Sequence, residues 1–128
     1  MIELQIYYAH HIWKYGTKIE EYELDLIKRM FPKAQIFNPS TDIDQTLTEE
    51  KIMECCLDAV RKSNMIIFSS MDGCIGRGVY QEIECAYSHN INVSYLFTNQ
   101  IREYDKKKFK QAVILNGGVT PRIYAVII

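Results

Sequence analysis

Basic residues are in no excess: 15 Lys and Arg stand against 16 Asp and Glu, a net charge of −1. Without a positive field the chain has no electrostatic hold on a phosphate backbone, so no nucleic acid polymer is expected as a partner. The four cysteines, Cys55, Cys56, Cys74 and Cys85, form no CxxC pair, and no histidine stands at zinc-ligand spacing,. Adjacent Cys55 and Cys56 on one helix are poorly placed to pair with each other. The thiols read as reduced, the location as cytoplasmic, and no metal site is expected. No stretch approaches 18 apolar residues and no basic segment precedes an apolar one, so no membrane partner is expected,. Repeats, low-complexity tracts and linkers are also missing, which predicts a single domain over 1–128.

Two glycine signatures are missing as well. The segment Gly73-Cys74-Ile75-Gly76-Arg77-Gly78 reads G-x-x-G-x-G, which matches neither the dinucleotide fingerprint nor the Walker loop. Kinase and NAD-dependent dehydrogenase chemistry are disfavoured, and no cofactor is called for. What is present is an apolar strand, Met65 to Phe68, running through Ser69, Ser70 and Asp72 into those glycines and then into a helix. Val79, Ile83, Ala86 and Tyr87 recur at helical spacing from a start near Arg77 or Gly78,. Such a strand–turn–helix points backbone amides at a bound anion. Glu82 lies four residues after Gly78, and its side chain leans back over the turn that Gly78 opens. Glu84 fits a solvated helix carboxylate, while Glu82 borders the apolar face.

Strands predicted at 2–9, 34–37, 65–68 and 93–97 alternate with helices predicted at about 17–31, 46–62 and 77–90. Thr17 with Glu20 and Thr46 with Glu49 supply capping boxes, and Pro32 and Asn90 are stop signals,. The alternation predicts an α/β domain, doubly wound, with a mainly parallel sheet and helices on both faces. Its ligand belongs at the carboxyl ends of the strands. Tyr7 to His11, Asn38 to Ser40 and Ser69 to Gly78 all gather there. Beyond Thr98 the reading is weaker: 101–111 suits a short lysine-rich helix, and the apolar segments 112–115 and 123–128 read as strands that pair with the sheet or another subunit.

Ile6-Tyr7-Tyr8-Ala9, Asn38-Pro39 and above all Gly76-Arg77-Gly78-Val79-Tyr80-Gln81-Glu82 resemble the nucleoside 2-deoxyribosyltransferases and the related nucleoside 5′-monophosphate N-glycosidases. The resemblance covers about the first 97 residues. It implies a deoxyribosyltransferase-like, flavodoxin-like three-layer fold, a nucleoside or nucleotide as small-molecule partner, and a homo-oligomer. It also implies that Glu82 attacks the anomeric carbon or stabilises its positive charge, that Tyr7 orients Glu82, and that Gly76, Arg77 and Gly78 hold a 5′-phosphate; Ala9, His10, His11, Asn38, Ser69 and Gly73 are expected at the ligand from their place at the strand ends. This sequence departs from the family twice. Transferases carry an aspartate where it has Gly76, and the family's acid falls at Cys56. Asp58, two residues on, is turned about 200° around the helix, so the proton for the leaving base falls to Asp72, His10 or His11, or has no donor.

Each residue also has a plainer role open to it. Tyr7 suits a strand-end core position, His10 and His11 a surface turn, Asp72 a turn cap, and Arg77 a solvated first helical turn. Two further functions stay open beside N-glycosidic cleavage: a nucleotide-binding or sequestering module without catalysis, and an interaction protein with no small ligand.

Overall fold

The computed structural model describes residues 4–71, 73–107 and 109. Strand β1 (Gln5–Ala9) leads through a short 3-10 turn (Ile12–Lys14) to helix α1 (Lys18–Met30). There follow β2 (Gln35–Phe37), a four-residue α2 (Pro39–Asp42), α3 (Glu49–Arg61), β3 (Met65–Phe68), α4 (Arg77–Ser88), β4 (Asn92–Phe97) and β5 (Gln100–Glu103). The five strands form one sheet in the order β2-β1-β3-β4-β5. The first four are parallel and β5 returns antiparallel to β4. An α/β chain with a mostly parallel sheet is what the alternation of strand and helix patterns predicts. Among the described residues no helix is long and apolar enough to cross a membrane.

Successive side chains of a strand point to opposite faces, and β1 uses both. Ile6 and Tyr8 pack with Leu26 and Ile27 of α1, together with Ile67 and Leu96. Tyr7 and Ala9 face the other way, into a core with Cys56, Ala59 and Val60 of α3 and Val79, Ile83 and Ala86 of α4. Residues 6–9 are all fully buried, as central strands covered on both sides must be. The arrangement puts α3 and α4 side by side over one face, with Tyr7 beneath them.

Three local expectations need correction. Thr48, not Thr46, caps α3: its Oγ1 accepts from the Lys51 amide at 3.2 Å. Thr46 is already engaged by Asp44 Oδ1 through both its amide and its hydroxyl, at 2.9 and 2.6 Å. Residues 39–42, in the gap between the strand predicted at 34–37 and the helix predicted at about 46–62, form α2 because Asn38 caps it and Pro39 supplies a first-turn φ,. Residues 100–103 are a strand, not the start of a helix. The two-residue turn before them puts Thr98 at φ 56°, a conformation that a β-branched residue rarely adopts and that gave no sequence signal. The apolar segments 112–115 and 123–128 lie outside the described residues.

Candidate functional site

A cleft of about 480 Å³ opens where the polar turn after β1, the first two turns of α3 and the start of α4 meet. Helix α3 lines it with Glu49, Ile52, Met53 and Cys56, residues that share a face at i, i+3, i+4 and i+7. Gly76, Arg77, Gly78 and Glu82 form the α4 wall, and His10, His11, Ile12 and Tyr15 a third. At Gly78 the two helices come close: a Cβ there would stand 3.3 Å from the Met53 Cε, the movable end of a flexible side chain. Gly76 is the N-cap of α4 and gives no side-chain bond to the first-turn amides.

Glu82 sits in the floor, 5% exposed. Tyr7, rising from β1 directly below, donates its hydroxyl hydrogen to Glu82 Oε2. Burial pushes the Glu82 carboxyl up to about 7, opposed by hydrogen bonds from Tyr7 and Cys56 that favour the ionised form,. Burial, and then the charge of Glu82, hold the Tyr7 hydroxyl well above its ordinary value. The same two causes push the Cys56 thiol up to about 12. The floor is thus one carboxylate, raised by burial, bonded by the Tyr7 hydroxyl with the Cys56 thiol beside it, and both of these neighbours keep their protons.

The histidines do different work. His10 is buried, stacked on Tyr8 with centroids 3.8 Å apart. Its Nε2 lies 2.6 Å from Glu20 Oε2 and its Nδ1 3.2 Å from the Tyr8 carbonyl. Burial lowers its pKa, while Glu20 and the carbonyl pull the other way. Half-buried His11 accepts the Trp13 amide on Nδ1 at 3.1 Å, so its neutral form carries the proton on Nε2. That edge of the ring lies against Gly76: a Cβ at 76 would stand 2.8 Å from its Cδ2. The side chain that an aspartate would bring to position 76 has no room while His11 holds this place.

Other residues expected around the ligand lie elsewhere. Asn38 caps α2, its Oδ1 accepting from the Ser40 amide at 3.1 Å, and borders a separate groove between α1 and α2. Ser69 is buried on the far side of the sheet against Lys14 and Glu23. Ala9 is fully buried at the end of β1, and its carbonyl accepts the Ser69 amide. Gly73, at φ 75°, makes the turn that brings Met71 and Cys74 into a bridge and is not part of the cleft wall. Asp72 lies outside the described residues. Asp58 is exposed and pairs with Lys62 at 2.9 Å, as its helical offset requires. Tyr15, Gln45 and Met53 line the cleft without a sequence signal for that role, as does Glu49, which the sequence marks only as a capping-box partner. Met53 falls on the apolar stripe of α3, and Tyr15 and Gln45 lie in stretches with no motif.

No family model matches the chain, and no curated protein matches it. A solved structure does. A conserved protein from Enterococcus faecalis V583 superposes with a TM-score of 0.65 over 90% of this chain and 76% of its own, at 20% identity. At that identity the likeness is one of fold, and it supports the α/β architecture.

Proposed function

We propose that the protein cleaves the N-glycosidic bond of a nucleoside or nucleoside 5′-monophosphate, with Glu82 as nucleophile. The observation that carries this reading is the buried Glu82 carboxylate, held by the Tyr7 hydroxyl in the floor of a cleft beside the uncapped start of α4. Glycosidic cleavage passes through an oxocarbenium-like state, which a carboxylate within bonding reach stabilises or captures. In the step proposed, a Glu82 oxygen bonds to the anomeric carbon as the carbon–nitrogen bond breaks. The base nitrogen keeps the electron pair and takes up a proton from solvent, which the later hydrolysis of the ester by water returns. Water then hydrolyses the glycosyl ester, which frees the sugar and restores the carboxylate. First-turn amides of α4 and Arg77 suit a 5′-phosphate. The resemblance of 76–82 to the deoxyribosyltransferases and N-glycosidases adds to this reading, which also takes the protein as a cytoplasmic homo-oligomer. Four free cysteines support that location,, and the apolar sequence near the C-terminus supports the oligomer.

A nucleotide-binding module without catalysis is the second reading. The observation that favours it is the group beside Glu82 on α3, which is the Cys56 thiol and not a second carboxyl. One experiment separates the two. The pure protein is incubated with each ribo- and deoxyribonucleoside 5′-monophosphate, and free base is sought by chromatography. Base release is expected from at least one nucleotide, and Glu82→Gln should lower it about 10³-fold or more while binding persists. Turnover unchanged in that variant overturns the mechanism; a melting-temperature rise with no base release favours the binding module.

A further inference from the structure

Behind the cleft, on the opposite face of β1, lies a polar cluster that none of the chemistry above uses. Lys14, 5% exposed, is the last residue of the 3-10 turn. Its ammonium donates to Glu23 Oε2 at 3.0 Å and Oε1 at 3.3 Å, to Ser69 Oγ at 2.9 Å and to the Ser70 carbonyl at 2.9 Å. Glu23 Oε1 also accepts from the Ser69 hydroxyl at 2.8 Å and from the Tyr8 hydroxyl at 2.5 Å.

We propose that Lys14 is a positioning residue that fixes two walls of the cleft to each other. One wall is the turn holding His10, His11, Ile12 and Tyr15; the other begins at Ser70 and runs to Gly76, Arg77 and Gly78. Both are loops leaving the carboxyl ends of adjacent strands, and β1–β3 pairing ends at Ala9 and Phe68. Past that point the ladder adds the Ser69 amide to the Ala9 carbonyl at 3.1 Å. Further out, the described residues bring the His11 ring against Gly76 on the cleft side and the Lys14 ammonium onto Ser69 and Ser70 behind.

Stability alone gives little reason for a buried lysine here. A buried ion pair is often no more stabilising than an apolar pair of the same volume, because both charges must leave water. The bond to the Ser70 carbonyl is different, because an apolar side chain cannot make it. It anchors the main chain where the second loop departs, and so sets the distance from the His11 turn to the α4 start that faces Glu82. The kinetic part of the test rests on the glycosidase reading; the structural part does not.

The test compares wild type, Lys14→Met and Lys14→Met with Glu23→Gln. The single variant strands the partly buried Glu23 carboxylate, whose side chain is 13% exposed, and is expected to lose stability throughout. The double variant removes both charges, keeps acceptors for Tyr8 and Ser69, and is expected to melt near wild type. In it, amide hydrogen exchange should quicken at least about tenfold at Met71 and Cys74, whose amides bond across the 71–74 turn,. The interior amides of β1 and β3 should keep wild-type rates. Base release should fall at least about tenfold, mostly in kcat, as displaced reacting groups require. Wild-type exchange at Met71 and Cys74 overturns the proposal, and so does a uniform rise along the whole chain, which would make Lys14 a stability residue only. If wild type releases no base from any nucleotide, the glycosidase reading falls by itself and the exchange pattern decides for Lys14.

Discussion

Tyr7 and Glu82 are 75 residues apart in sequence and share one hydrogen bond in the cleft floor. With burial, the bond helps to set when Glu82 is charged. Burial raises the Glu82 pKa to about 7, and the Tyr7 and Cys56 hydrogen bonds restrain the rise. A nucleophile must be ionised, so base release should climb with pH from about 6 to 8 and level off above. Tyr7→Phe removes one donor to the carboxylate. A hydrogen bond to a charged group contributes roughly 1.5–3 kcal/mol, equivalent to about one to two pH units. The acid limb of kcat/KM should therefore move up by at least about one unit, with activity above the new limb much less affected. A limb that stays in place would show that Tyr7 does not tune Glu82 and is a core residue only.

At the scale of elements, the start of α4 matters most, and there Gly76 and His11 form a pair. Gly76 has φ −77°, open to any residue, so backbone strain does not demand glycine. The neighbouring ring does, since a Cβ would stand 2.8 Å from His11 Cδ2 while Nδ1 is held by the Trp13 amide. Gly76→Ala should cost about 1–3 kcal/mol, the usual range for overpacking. Combining it with His11→Ala should recover most of that loss, and a double-mutant cycle in urea measures the coupling. Additive effects would show that the ring moves aside freely.

The same elements show how far sequence reasoning reached. β3 and the start of α4 were legible because an apolar run, a glycine turn and a 3.6-residue repeat follow one another there. Glu82 stood out because it borders the apolar face one turn into that helix. Asn38 and Ser69 lie outside the cleft, because being near the carboxyl end of a strand does not say which loop a side chain serves. His10, open as a surface turn, is buried; its stacking on Tyr8 and its contact with Glu20 are tertiary and leave no local pattern. β5 was missed because Thr98-Asn99 lacks the glycine that marks most tight hairpins.

Across the whole molecule, the carboxylate in the cleft has a cost that stability measurements can detect. Glu82 rises from an ordinary 4.5 to about 7 on folding. Between those values the folded protein keeps a proton that the unfolded chain has released, so its stability falls as pH rises through the window. The contribution is fully present below pH 4.5 and gone above about 7, a change of about 3 kcal/mol at 1.36 kcal/mol per unit. His10 acts in the opposite sense. Its pKa is lowered on folding, so it removes stability as pH falls below 6.5, and the raw pH profile mixes the two. Comparing the wild type with Glu82→Gln cancels His10. The glutamine variant should gain stability relative to wild type, by about 3 kcal/mol between pH 4.5 and 7.5 in urea denaturation. A difference that stays flat over that range would mean that Glu82 is charged in the folded protein well below neutrality, and that the cleft floor is wetter than its burial implies.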